Sequence, residues 1–483
     1  MTSIATRPAR LGLAGAVFFS LAATAASARP QVEEAPTTYV LRAEQLVVRP
    51  GHVREGASVL VRDGRIVRVG GSDMELPEGA VELRGKVVCA GFLDPWSALG
   101  VESGTLGDSR MEEAAHTVDG LDFYANDHLR EEALRAGVTL ARVQSAWQAP
   151  TGGVGAVVRL DPAADTADSA VVLADADLSA ALGLSVDQGS RFVRNADGTF
   201  EMVSGKRPID VFDRVSAVDK LVANLEAGRA YRRSELQYEH ELAEWQEAIT
   251  EKTEELEKDF KKAKKARDKD LEKAKEDGKE LKEKKYKEDR KPKAPKVDAR
   301  KAVLARVAEG ELPLVVEVHR AGELRNLLHA TEGFTRLRLI LAGATEVGPM
   351  ASELAERGIP VIVWPSLRGT GAEDEFAGGD LGLAATLRAA GVEVLLGTGG
   401  RDGRATRDLP LLAQLAVGHG LSREDAFHAL TLGAARAFDV ADRLGSVEPG
   451  KEADLLILDG HPLEASTRVQ YVLCGGRLAV SPN

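Results

Sequence analysis

Three observations predict an α/β protein built as a TIM-like (β/α)8 barrel, with a small composite β-sandwich and a charged helical-hairpin insertion. Short β segments gather at both chain ends, helices alternate with strands between them, and one long stretch is rich in lysine and glutamate. The alternation is clearest from Leu312 to Leu430. Four helix–strand pairs follow one another there with short links, a spacing that favours a closed barrel over an open sheet. The expected organisation is a signal peptide over 1–28, a composite β-sandwich from 38–90 plus 440–483, a barrel from 91–211 plus 298–439, and the insertion over 212–297.

Composition sets the outer limits. A chain of 483 residues with 44% hydrophobic content can bury a large core, and 48 glycines suit many tight β-to-α turns. The formal charge of −12 argues against a nucleic-acid partner, which would need clustered positive charge. At the start, Arg7 and Arg10 precede an apolar run from Leu11 to Ala26, then Ala26-Ser27-Ala28. That is the order of a secretory signal peptide cleaved after Ala28, so the expected location is periplasmic or secreted. No later stretch is long and apolar enough for a membrane span.

From Tyr39 to Leu83 the pattern is short strands: Tyr39–Leu41, Gln45–Val48, Ala57–Arg62, Arg65–Val69 and Ala80–Leu83. Asp63-Gly64 between apolar runs marks a two-residue hairpin. The matching segments lie at the far end, Asp454–Leu458, Val469–Cys474 and Arg477–Val480. Val87–Ala90 and Phe92–Leu93 form an apolar run, a buried strand ended by Pro95. Asp122–Ala136 is a predicted helix closed by Gly137, followed by a strand over Val138–Val143. Gly152–Leu160 is a glycine turn and a strand; it lacks the Gly-Lys-Ser/Thr of a phosphate loop. Ala170–Leu173 is a short strand.

Beyond Phe212 the chain turns helical and charged. Leu242, Trp245, Ile249, Leu256, Phe260 and Ala263 fall at coiled-coil-like spacings. The run must return to the barrel, and Asp277-Gly278 is its one internal breaker. Most of its charge is self-matched, so a solvated helical hairpin is the expected form, with a protein partner as its functional alternative. The later elements are a helix over Asp298–Ala308, strands Leu312–His319, Leu337–Ala342, Ile359–Trp364 and Val392–Gly397, and helices Gly322–Ala330, Pro349–Arg357 and Leu381–Ala390. Ser422-Arg423-Glu424-Asp425 resembles a capping box for a helix through Leu430.

Two stretches carry a family resemblance. Gly91-Phe92-Leu93-Asp94 matches the strand that opens the barrel in the amidohydrolase superfamily. The tail Arg443-Leu444-Gly445-Ser446-Val447-Glu448-Pro449-Gly450-Lys451-Glu452-Ala453-Asp454-Leu455-Leu456-Ile457-Leu458 is similar to that superfamily's closing motif. Gly137-Val138-Thr139 and the strand ending in His319 also resemble members of the imidazolonepropionase and prolidase type. The resemblance implies hydrolysis of carbon–nitrogen bonds at a metal centre. Its ligands would be two histidines after strand one, histidines after strands five and six, an aspartate after strand eight, and often a bridging lysine or glutamate after strand four. Here the strand-one pair is Trp96 and Ala98, the strand-six position is Ala342 and the strand-eight position is Gly399. His319 alone survives, and the strand-four residue has no evident counterpart. Indole, methyl and hydrogen side chains cannot hold a cation.

The nine histidines form neither His-x-His nor His-Glu-x-x-His, so no local metal pair has moved elsewhere. Asp402, three residues past Gly399, could join His319 in metal-free acid–base work. Glu317 is expected to point to the face opposite His319. Trp96, Trp147 and Trp364 each follow or end a strand, where they would shrink the mouth of the barrel and make it more apolar. There is no Gly-x-Ser-x-Gly elbow. Both cysteines, Cys89 and Cys474, fall near the composite domain in the family arrangement, where a bridge would depend on their Cα separation. The expectation is therefore an exported amidohydrolase-like protein with a degenerate metal site and a ligand-binding or interaction role. No cofactor is expected, and zinc only if the site is competent. The alternative is an active hydrolase around His319 and Asp402, with a small molecule as ligand in either case.

Overall fold

In the computed structural model the described residues are 38–101, 113–123, 127–144, 151–164, 166–182, 186–187, 191–194, 200–203, 206–207, 211–277, 291–365, 379–400 and 403–482. The expected signal peptide, Trp147, Gly278 and Asp402 lie outside them.

Both chain ends feed one seven-stranded sheet. Its strands are β1 (Thr38–Arg49), β2 (His52–Arg62), β3 (Arg65–Gly71), β4 (Val81–Ala90), β17 (Leu455–Leu458), β18 (Val469–Cys474) and β19 (Arg477–Val480), in the order β19-β18-β17-β4-β1-β2-β3. The seam between the two ends is antiparallel, with Leu456 opposite Cys89. This is the composite β-domain expected from the two chain ends, built as one sheet. A single sheet curls until its edge strand β3 meets the segment before β17, through Ile66 N–H to Lys451 O and Ala453 N–H to Gly64 O. Leu41, Val59, Ile66, Val88, Leu455 and Leu473 fill the core inside the curl. The Asp63-Gly64 turn takes positive φ at both positions, 51° and 76°, as a type I′ hairpin requires.

The second sheet has eight strands in the order β16-β15-β14-β13-β8-β7-β6-β5. They are β5 (Phe92–Ser97), β6 (Val138–Val143), β7 (Thr151–Arg159), β8 (Val171–Ala181), β13 (Leu314–Val318), β14 (Leu339–Gly343), β15 (Val361–Val363) and β16 (Val394–Leu396). The barrel departs from a uniform (β/α)8 pattern at one place: β7 runs antiparallel to both neighbours. The cause is the link before it. Residues 144–150 are too few for the crossover that a parallel pair needs, so the chain turns back on itself. Between β8 and the next helix lie four short strands, β9 (Val186–Asp187), β10 (Arg191–Arg194), β11 (Phe200–Val203) and β12 (Lys206–Arg207).

Besides three short 3-10 helices, the described residues form ten α-helices: α1 (Asp127–Arg135), α2 (Ala167–Ala170), α3 (Val211–Asp277), α4 (Ala299–Ala308), α5 (Ala321–Ala330), α6 (Ala351–Arg357), α7 (Leu383–Ala389), α8 (Leu409–Gly418), α9 (Arg423–Leu430) and α10 (Leu432–Ala437). The first starts later than Asp122, and Gly137 closes it with φ 91°. Helix α9 is capped as expected: Ser422 Oγ accepts from Asp425 N–H at 3.0 Å.

In the insertion, helix α3 is continuous for 67 residues and ends at Asp277, where the sequence places its breaker; 278–290 lie outside the described residues, and 291–298 is irregular. The first part of the helix belongs to the barrel wall. Val218, Leu221 and Leu225 are buried, and at Gly228 a Cβ would stand 2.4 Å from the Leu304 carbonyl carbon, so α4 lies directly on that glycine. Glu113 ties the helix to the wall, accepting from Thr151 Oγ1 (2.6 Å), Asn224 Nδ2 (2.9 Å) and Arg300 Nε (2.7 Å).

Cys89 and Cys474 are free and buried. They lie on β4 and β18, the two strands flanking β17, and are offset in register, so they are more than about 9.5 Å apart, beyond disulfide reach.

Candidate active site

Alternation along each strand decides what faces the barrel interior. Val315 packs inside with Leu93, Trp96, Leu140, Ala342, Ile362 and Phe438, so Glu317 and His319 follow on the same face of β13. The expected opposite placement of Glu317 is thereby corrected: residues two apart share a face. Glu317 Oε1 lies 3.3 Å from His319 Nε2, and Thr345 Oγ1 lies 2.7 Å from His319 Nδ1. Both ring nitrogens are engaged, and the imidazole is buried. Thr345 reaches it through a tight left-handed turn after β14, Gly343 (φ 78°) then Ala344 (φ 43°). A Cβ at Gly343 would fall 2.3 Å from His319 Cε1, so only glycine lets the ring sit there. Ala344 holds a conformation costing about 1–2 kcal/mol for an L-residue.

Beside the imidazole stand two indoles. Trp364, just past β15, meets His319 edge-on at 5.8 Å between centroids. Trp96 stacks on Trp364 at 6.0 Å with 28° between planes, and Gly399 and Gly400 leave room for the pair. Trp96 is buried, while Trp364 is partly exposed.

Deeper in the barrel is a cation that sequence reasoning missed. Arg142 on β6 is fully buried, with its guanidinium carbon 4.8 Å above the Trp96 ring and 5.8 Å from that of Phe438. Its Nε donates to Asp177 Oδ1 at 2.8 Å and its Nη2 to Ser179 Oγ at 2.5 Å; further bonds go to Asp177 Oδ2 and Gln144 Oε1. A charged residue inside the apolar run Val138–Val143 was the available signal. The glycines of β7 fit the same feature: a Cβ on Gly155 would stand 2.6 Å from Asp177 Oδ1.

Asp94 joins the first strand to the last. Its carboxylate accepts from Trp96 N–H (3.1 Å), Thr398 N–H (3.2 Å) and Thr398 Oγ1 (2.5 Å). Complete burial pushes its pKa up to about 6, against the pull of those donors.

Comparison with known proteins bears on this arrangement. A model of the amidohydrolase family matches residues 326–479. An imidazolonepropionase of Syntrophobacter fumaroxidans is 44% identical over 72 residues, 14% of this chain and 17% of that protein. The match therefore spans about a sixth of that relative's length. Among solved structures, an amidohydrolase from Thermotoga maritima superposes with a TM-score of 0.65 at 22% identity, covering 92% of this chain and 100% of that one. A prolidase complexed with n-methylphosphonate-l-proline gives 0.51 at 17% identity, with coverage of 92% and 100%. The C-terminal third of the chain thus resembles the amidohydrolase family in sequence, and the chain shares the fold of amidohydrolases.

That superfamily is typically metal-dependent, so the donor set of this amidohydrolase-fold chain decides whether a metal fits. Counting along the sheet, β8 is strand four, and it ends in Ala180, Ala181 and Leu182, with Ala181 level with Glu317. Neither a lysine nor a carboxylate stands there. Trp96, Ala98, Ala342 and Gly399 offer no donor at the other positions, and His319 has its nitrogens bonded to Thr345 and Glu317. Among the described residues no three His, Cys, Asp or Glu side chains come together as a metal would require. These residues do not fit a divalent ion. Of the predicted pair, His319 stands at the barrel mouth and Asp402 lies outside the described residues.

Proposed function

We propose that this amidohydrolase-fold chain binds a small organic molecule at the barrel mouth and does not perform its superfamily's metal-assisted hydrolysis. One observation carries this reading. The single retained ligand-type residue, His319, has both ring nitrogens occupied, and two stacked indoles take the space beside it. An imidazole in that state has no lone pair to spare for a cation. Metal analysis of the purified full chain tests it. The expected result is well below one zinc per chain, unchanged in His319→Ala. One equivalent of zinc that disappears with His319→Ala, together with amidase activity, would overturn it.

A second reading, a hydrolase of carbon–nitrogen bonds around His319, is favoured by one detail. Thr345 hydroxyl, His319 and the Glu317 carboxylate form a hydroxyl–imidazole–carboxylate relay, the order used to activate a nucleophile. On that reading Thr345→Ala and His319→Ala each abolish turnover of a small amide in metal-free buffer. On the first reading there is no turnover to lose.

A further inference from the structure

We infer that the ligand of the barrel mouth is a small organic cation, an amine or quaternary ammonium compound. This rests on the ligand-binding reading above and names the chemistry of its ligand. Glu317 faces inward on β13, yet its side chain is 24% exposed. An inward residue on a barrel strand meets water only if the barrel is open to solvent down to that depth. The carboxylate is therefore reachable from outside.

Among the described residues, it also has no basic side chain bound to it other than the imidazole. Its described contact is His319 Nε2, and no lysine or arginine among the described residues pairs with it. Arg142, the buried guanidinium of the barrel interior, is already bonded to Asp177, Gln144 and Ser179. The wall beside the imidazole that this carboxylate bonds is aromatic. Trp364 is partly exposed, while Trp96 behind it is buried with one face under Arg142. A partly exposed indole and a carboxylate that no described lysine or arginine neutralises, both flanking one imidazole, are the groups that recognise an alkylated ammonium, the ring by its quadrupole and the carboxylate by its charge. An anion would meet Glu317 with like charge. An uncharged ligand would take water from the carboxylate and return nothing for it.

The probe is tetramethylammonium chloride, titrated into the full chain and followed by calorimetry and tryptophan fluorescence. Sodium chloride serves as the ionic-strength control and sodium acetate as the anion control. Saturable one-to-one binding of tetramethylammonium is expected, weakened at least tenfold in Glu317→Gln. A Trp364→Leu change is expected to weaken it about tenfold. Glu317→Asp keeps the charge and should retain most of the binding, which separates charge recognition from damage to the fold. Absence of saturation with tetramethylammonium, or undiminished binding in Glu317→Gln, would overturn the inference. Saturation by acetate instead would also overturn it while leaving a ligand-binding barrel intact. Stoichiometric zinc would instead remove the reading beneath it.

Discussion

Asp94 shows how a single side chain can set a pH response without touching a ligand. It belongs to the Gly91–Asp94 run of the opening strand, and burial holds its pKa near 6, above the 3.8 of an unperturbed aspartate. Because the folded state holds the proton more tightly than the unfolded chain, stability is greatest from this group below pH 4. It declines as pH rises toward 6 and is level above. That displacement corresponds to roughly 3 kcal/mol across the window. An Asp94→Asn change would keep the hydrogen-bond geometry. The amide oxygen can accept both N–H groups, and the amide nitrogen can donate to Thr398 Oγ1, freeing that hydroxyl for Trp96 O, 3.3 Å away. Asp94→Asn should therefore be the more stable protein at pH 7.5 and lose the fall in stability between pH 4.5 and 6.5. Urea unfolding at several pH values measures this, and parallel curves for the two proteins would refute it. Below pH 4 a second group of carboxylates works in the opposite sense. Glu393 is held low by the His428 hydrogen bond, and Glu448 by that of Ser446, so the stability they contribute is lost on acidification.

At the scale of single elements, β7 joins a topological exception to a chemical one. It is the one reversed strand of the barrel, and it lies between the strands that carry Arg142 and Asp177. Its glycines were legible as a structural turn rather than a phosphate cradle, but their purpose was not. The pair they accommodate is made of residues 35 apart whose meeting depends on strand order. The same limit explains most of what the sequence could and could not tell. Helix–strand alternation after Leu312, the Asp63-Gly64 hairpin and the Ser422 cap rest on local spacing, and each was readable. Curling of the terminal sheet, reversal of β7 and the Thr345–His319–Glu317 contact arise from register between distant segments, which one sequence does not display. Gly155→Ala probes the point directly. The added methyl would press on Asp177 and Arg142 and disturb a buried ion pair, for a loss of about 3 kcal/mol. Arg142→Met alone should cost about as much by stranding the Asp177 charge, whereas Arg142→Met with Asp177→Leu should recover most of it. Thermal unfolding of the wild type, Gly155→Ala, Arg142→Met, Asp177→Leu and the double variant tests this. Simple additivity of the two single changes would show that the ion pair is not the linking feature.

On the scale of the whole molecule, α3 divides into a part that folds the barrel and a part that does not. Contacts with the barrel end early: Arg214 pairs with Glu323, Arg229 donates to Gly333 O at 2.6 Å, and its guanidinium lies 4.2 Å from the Phe334 ring. Beyond Arg229, the hydrogen bonds and ion pairs described on this helix are internal to it, such as Arg232 with Glu235 and Gln237 with Glu241. A helix of this length is too polar to be held by burial of its own surface. Its net contribution per exposed ion pair is a few tenths of a kcal/mol. The barrel's stability should therefore be nearly independent of the distal segment. Replacing residues 234–290 by three glycines keeps Val218, Leu221, Leu225 and Gly228 against α4, and the described residues 291–298 can bridge the short remaining gap at about 3.3 Å per residue. The shortened protein is expected to fold, with its thermal midpoint within about 4 °C of the full chain, since a change near 1 kcal/mol moves the midpoint by that order. Tetramethylammonium binding should be unchanged as well, because Glu317 and Trp364 stand on other elements. Loss of cooperative unfolding in the shortened chain would show that the distal helix is part of the folding unit. Retention of the fold would leave the bulk of this insertion to be explained by something outside the barrel, and the docking of a protein partner becomes the reading to test on the helix itself.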